Sequence, residues 1–547
     1  MSNVTCVLPI LGNEWEHLAV TKTTQRWPDP QAQGARHVLQ ALNERVFGDE
    51  PVRTSYGLST PGGYWGASAD LLPLPDGGAV YIDLDQPEIT SCETLDPHEA
   101  YLHLCATEYM LAQAAAECPQ ETLVWLMNRS RKSRGTGYVY RAGHINVQMG
   151  RDDWRLLVGE CFSTVLRAYL PFVTAVAVLL GSGAVGDDYD ETAFLCGQRL
   201  ESMETLFPSH ETTFQRTISL NLRGNRETLN DDASRTRNHC IGPHDTTVSP
   251  TQELRLALVQ AATYALLRPA PARPYPDLSL RQPLLAAAVM NRDPWLPVPL
   301  NDGRSANALD LAEQGLETIA AVLEDDEHAA EALPHWQHYD RWLRQVIDAL
   351  RRRDLFASGV EWAAKKMTFE AADNRTAREL DVLWHQIEPA LFAPEGQHIA
   401  RVLGHAPPFT PLQLAEAFTT PPTGTRAYLR GHIAQRCITE GERLQMCDWD
   451  GVNLPRRSAR LSLPTPEDCS LARTGDLDGL SLDEILDGPA APYRTELSYT
   501  HRYRTQHHVR SGGKVVSAPA PSSPSGGAAG HGMDPMLMGP YEEGSLS

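Results

Sequence analysis

Two short acidic segments constrain this chain most: Gly12-Asn13-Glu14-Trp15-Glu16, and Tyr81-Ile82-Asp83-Leu84-Asp85-Gln86-Pro87-Glu88. In an extended strand, residues two apart project to the same side. Glu14 and Glu16 would therefore share one face, as would Asp83 and Asp85, with Trp15 and Leu84 packed behind them. Two such strands in one domain make a cation-binding surface suited to a hard divalent ion such as magnesium, which takes oxygen ligands and accompanies nucleotide phosphates. For either segment alone, a solvated strand edge is the plain alternative.

The length, 547 residues, exceeds what one hydrophobic core serves, so a large domain and at least one smaller one are expected. A hydrophobic content of 42% and a charged content of 21% are those of a folded globular chain. The net charge of −21 argues against nucleic acid or an anionic membrane as partner, and a nucleotide pocket would need its arginines concentrated. The 10 cysteines show no Cys-x-x-Cys and no zinc-type His/Cys spacing, and read as reduced core thiols. No secretory signal is visible. The most apolar run, Tyr169 to Leu180, is shorter than the roughly 20 residues that cross a bilayer. A cytoplasmic protein is the expectation.

Periodicity places helices at Asp29 to Val46, Asp96 to Cys118, Leu156 to Leu180, Glu253 to Leu267, Ala308 to Leu323 and His335 to Arg353. Strands are expected at Leu123 to Asn128, Gly137 to Arg141 and His144 to Met149, with the basic stretch Arg129 to Gly137 as a loop that could face phosphates. Gly181-Ser182-Gly183 is a weak phosphate signal and more often a turn. The chain breaks around Ala406-Pro407-Pro408, and from Ser511 it is Gly/Ala/Ser/Pro-rich and reads as disordered. The expected division is a catalytic domain over 1–408, a small C-terminal domain over 409–510 and a tail over 511–547.

Taken in order, these segments resemble the Pup ligase and depupylase (proteasome accessory factor A) family, ATP-dependent enzymes of the glutamine-synthetase-like carboxylate-amine ligase superfamily. The resemblance runs from about Ile10 to Asn453. It is carried by Gly12-x-Glu14-x-Glu16, Tyr81-x-Asp83 with Pro87-Glu88 and Glu93, Gly181 to Gly186, Gln198-Arg199, Glu211-Thr212-Thr213, Asn221-x-Arg223 and His239-x-Ile241-Gly242. Later blocks are Arg292-Asp293-Pro294, Asp302-Gly303-Arg304, Glu361-Trp362, Leu383-Trp384-His385, Pro421 to Gly431 and Trp449-Asp450.

The resemblance implies an α+β fold, a curved antiparallel sheet packed with helices, with the small C-terminal domain completing the nucleotide site. It implies Mg2+ held by Glu14, Glu16, Glu93 and His239, with Asp83 as general base. ATP would be bound by Arg223, Arg426 and Arg430, with Trp449 on the adenine. The guanidinium fork suits phosphate, and a carboxylate can act as base if its surroundings raise its pKa.

The implied reaction activates a side-chain carboxylate of a small ubiquitin-like protein, Pup or an analogue, as an acyl phosphate and joins it to a lysine amine of a protein target. A modifier ending in Gly-Gly-Glu would suit direct ligation, and one ending in Gly-Gly-Gln would call for a deamidase. The depupylase or deamidase direction is the alternative, and a degenerate binding subunit is the alternative of another class. Three departures stand out: His144-Ile145-Asn146 replaces the family's His-Glu-Asn, Asn221 to Asn225 lacks the acidic and histidine residues that normally follow the arginine, and Pro87-Glu88 is followed by Ile89 rather than an aromatic.

Overall fold

The computed structural model describes residues 10–21, 30–47, 72–83, 86–118, 124–128, 131–133, 137–139, 143–150, 162–185, 193–200, 203–206, 235–240, 244–268, 276–370, 372–440, 447–448, 451–454 and 459–462. Its strands begin with β1 (Leu11–Glu16), β2 (Leu18–Thr21), β3 (Leu72–Pro73), β4 (Ala79–Asp83), β5 (Gln86–Thr90) and β6 (Val124–Met127). They continue with β7 (Arg131–Ser133), β8 (Gly137–Val139), β9 (Gly143–Gly150), β10 (Ala184–Val185), β11 (Phe194–Leu195) and β12 (Arg235–Cys240). Six form one sheet in the order β12-β9-β1-β5-β4-β3, antiparallel throughout. The mixed α+β class is as expected. The basic stretch read as a loop holds a strand, β7, which pairs with β8 at the start of the strand expected over Gly137 to Arg141.

The two-residue period sorts this sheet. Leu11, Trp15, Val80, Ile89, Ile145 and Val147 are all fully buried on one face, against helices that include Pro97–Glu117 and Thr251–Leu266. Asp96 caps the first of these, accepting from the backbone of His98 at 2.8 Å and Glu99 at 3.1 Å, with Pro97 at the first helical position where no N–H is needed. The helix Pro30–Phe47 crosses β2 so closely that a Cβ on Gly34 would stand 2.4 Å from the Ala19 carbonyl oxygen.

The apolar run forms part of a helical stretch, Phe162–Leu179, that by length and composition alone could cross a membrane; most of it is buried inside the protein. Its first part widens into a π-helix over Val165–Tyr169. The physical cause is Pro171, which has no N–H to offer the Arg167 carbonyl. That carbonyl accepts instead from Leu278 N, at 3.0 Å.

The chain divides into Met1–Tyr499 and Thr500–Ser547, and the expected tail lies outside the described residues. Helix Pro411–Thr419 packs on Pro97–Glu117, with Phe409 against Tyr101 at a ring separation of 5.3 Å. Helix Ala427–Glu440 lies on the turn before β4, where Gly77 has φ +87° and a Cβ would meet the Ala427 oxygen at 2.3 Å. Only glycine fits there, on both counts.

Candidate active site

The face of the sheet opposite the core is polar, and its register explains which residues meet. Glu14 pairs with Thr90 on one side and His144 on the other, and Glu16 pairs with Glu88, which pairs in turn with Tyr81. Alternation therefore points these side chains the same way. The Glu14 Oε2 lies 3.0 Å from His144 Nδ1, and its Oε1 accepts from Asn146 Nδ2 at 3.4 Å. Glu16 Oε1 stands 3.9 Å from His144 Nε2, and its Oε2 stands 4.0 Å from Arg199 Nη1. Donor atoms of Glu14, Glu88 and His144 lie within 4.8 Å of one another. The Tyr81 hydroxyl donates to Glu88; burial, then the charges of Glu88 and Glu14, push its pKa well up, so it stays a donor.

Glu93, assigned to the metal by resemblance, has other company here. Arg426 Nε lies 2.7 Å from its Oε1, and Arg430 bonds both carboxylate oxygens while its Nη2 also donates to the Gly77 carbonyl at 2.7 Å. Burial pushes the Glu93 carboxyl up, but Arg430 and Arg426 outweigh it and hold the pKa at about 2. Thr425 Oγ1 donates to the Glu93 carbonyl at 2.6 Å, tying the start of the C-terminal helix to the same residue. The structure thus joins one expected metal ligand to two expected phosphate ligands.

The backbones of Asp83 and His239 are placed, their side chains are not among those described. Asp83 stands opposite Gln86 in β4, in step with Tyr81, and His239 opposite Asn146 in β12. Arg223 and Trp449 lie outside the described residues.

Position 145, where the family's acidic residue is replaced, pairs with Asn13 and Cys240, and the Ile145 side chain is fully buried on the core face. The replacement removes no carboxylate from the polar face, because His144 and Asn146 occupy that side.

Gly181-Ser182-Gly183 is an irregular connection from the end of the apolar helix to β10. Ser182 donates through both N and Oγ to Asp245 Oδ2, each at 2.9 Å, and the same carboxylate accepts the backbone N–H of Gln198 and Arg199. Asp245 thereby fixes Arg199, whose guanidinium approaches Glu16. Beside it, His244 is buried, and neither ring nitrogen has a hydrogen-bond partner among the described residues. Burial, then Arg255, His144 and Arg199, push its pKa well down, so the imidazole is neutral at pH 7.

Sequence reasoning missed Glu88 and His144 as partners of Glu14. Both stood in quoted segments, but only strand register brings them together. His244 and Asp245 lie two and three residues beyond Gly242, with no pattern to mark them.

A family model described as Pup-ligase protein matches residues 10–453. A Pup deamidase/depupylase of Mycobacterium tuberculosis is 26% identical over 405 residues, covering 69% of this chain and 74% of that protein. A Pup–protein ligase of Mycobacterium avium is 25% identical over 423 residues, covering 73% and 87%. Among solved structures, the complex of the prokaryotic ubiquitin-like protein Pup with its ligase PafA superposes with a TM-score of 0.62 at 18% identity, covering 93% of this chain and 98% of that one. The ligase PafA with ADP gives 0.59 at 18%, covering 89% and 97%. These two likenesses show the fold.

Proposed function

The chain belongs to the Pup-ligase protein family, and from that premise we propose that it is an ATP-dependent carboxylate-amine ligase that joins a small ubiquitin-like modifier, Pup or an analogue, to lysine amines of a protein target. The observation that carries the reading is the one-sided sheet: Glu14, Glu16 and Glu88 gather around His144 on a surface whose reverse is sealed by the core. Oxygen donors converging with one imidazole fit a hard divalent cation. Glu14, Glu16, Glu88 and His144 would hold Mg2+, joined by Glu93 and His239 on the strength of the family resemblance. When bound, the ion would draw charge from the nucleotide's phosphates.

Activation comes first because an amide does not form directly from a carboxylate in water. A side-chain carboxylate oxygen of the modifier attacks the γ-phosphorus of ATP, the bond to the bridging oxygen breaks, and ADP leaves. A lysine amine then attacks the carbonyl carbon of the acyl phosphate, the carbon–oxygen bond breaks and phosphate departs. Asp83 takes the amine's proton. In support of that role, the Asp83 backbone pairs with Gln86 in the same register that pairs Tyr81 with Glu88.

Arg426 and Arg430, with Arg223, meet the phosphates as charge moves, and Trp449 stacks on the adenine. Residues 1–408 supply the sheet and 409–510 close the nucleotide site. The reaction is placed in the cytoplasm.

The reverse direction has one observation in its favour: the hydrolase relative resembles the chain as closely as the ligase relative does. One experiment separates the two. Purified chain, Mg-ATP, a modifier ending in Gly-Gly-Glu and a lysine-bearing protein should give a conjugate of summed mass less one water. Cleavage of a preformed conjugate, with no conjugate formed, would assign the hydrolase instead.

A further inference from the structure

Behind Glu93, at a distance in sequence that no spacing rule would link, three different donors meet in the core: Asp76 from the turn before β4, Cys92 just after β5, and His103 from the helix Pro97–Glu117. All three are buried. His103 Nδ1 lies 3.3 Å from Asp76 Oδ2, Cys92 Sγ lies 3.9 Å from the same oxygen, and the donor atoms lie within 4.8 Å of one another. Donor atoms on a tetrahedral zinc ion stand roughly 3.3–3.6 Å apart, from bond lengths of about 2.0–2.3 Å. The trio is therefore close to an assembled coordination face.

Asp76 Oδ1 accepts the Gly78 N–H at 2.9 Å, which fixes the carboxylate and turns Oδ2 toward the other donors. The mixed sulfur, nitrogen and oxygen set suits zinc rather than magnesium, which avoids thiolate.

We propose that Asp76, Cys92 and His103 form a zinc site separate from the acidic face of the sheet. Its position gives it a use. The Gly77 carbonyl, one residue from Asp76, accepts from Arg430, so an ion at Asp76 would brace the turn on which the Glu93–Arg430 pair rests.

The full chain, exposed to zinc and then desalted, should carry a single zinc per chain by elemental analysis, and cobalt should replace it with the intense thiolate-to-cobalt absorption of a sulfur ligand. Cys92→Ser should lose that absorption, and His103→Asn should lose the zinc. Glu14→Gln, on the other face of the sheet, should keep both, which excludes zinc lodged at the acidic face. A chelator should lower the melting temperature of the wild type and leave that of Cys92→Ser unchanged. Wild type without zinc or the cobalt–thiolate band, or zinc retained by the Cys92→Ser/His103→Asn double variant, would overturn the proposal. The wild-type cobalt spectrum decides even if a variant fails to fold.

Discussion

Glu93→Gln tests the joint between the sheet and the C-terminal helix. The substitution keeps the shape of the side chain and removes its charge, leaving Arg430, almost fully buried, without its carboxylate. Removing one member of a buried pair costs about 3–5 kcal/mol. Proton affinity gives a second estimate: the Glu93 carboxyl falls from 4.5 to about 2, which at about 1.4 kcal/mol per tenfold change amounts to about 3 kcal/mol. The two agree. Because the folded pKa is depressed, this stabilisation is fully present above pH 4.5 and is lost as the pH falls through about 2. Urea unfolding of both proteins should show the variant about 3 kcal/mol less stable at pH 7, with the gap narrowing from pH 4.5 toward about 2 as the unfolded wild type, and then the folded one, takes up the proton. A difference under about 1 kcal/mol at pH 7, the value of an exposed pair, or a difference that does not shrink in acid, would refute the pairing.

Asp83→Asn should abolish turnover and leave the affinity for a labelled ATP analogue within a few-fold, because a base acts on the transition state more than on ground-state binding; wild-type turnover would make Asp83 structural. Glu14→Gln with Glu16→Gln should weaken magnesium-dependent binding of that analogue, and undiminished binding with magnesium as the sole divalent ion would remove the metal assignment. Ile145→Glu should not strengthen metal binding and should destabilise the protein by several kcal/mol in urea unfolding, since it puts a carboxylate into the fully buried face of the sheet. A stable variant with tighter metal binding would show that residue 145 reaches the site.

Local pattern carried much of this. Alternation in Leu11–Glu16 foretold which side of the strand is buried, and the periodicity of Asp96 to Cys118 matches the helix Pro97–Glu117. What local pattern could not carry is register. His144 and Glu88 flank Glu14 and Glu16 only because β9 and β5 both pair with β1, at offsets set by the whole sheet. The same blindness split Glu93 from Arg426 and Arg430, which meet across more than three hundred residues of chain. Pro171 was a visible signal inside an apolar helix, but the widened turn it causes depends on a partner for the Arg167 carbonyl at Leu278. The shared donor set of Asp76, Cys92 and His103 has no sequence signature either, since each comes from a different element.

The central claim is that a carboxylate is phosphorylated before an amine attacks it, and an oxygen label reads that step directly. A modifier whose terminal Glu carries 18O in its side-chain carboxylate should, with Mg-ATP and an acceptor protein, deliver one 18O atom to inorganic phosphate for each amide formed. Amide formation that leaves the phosphate unlabelled, or uptake of oxygen from labelled water into the modifier with no conjugate made, would contradict the account.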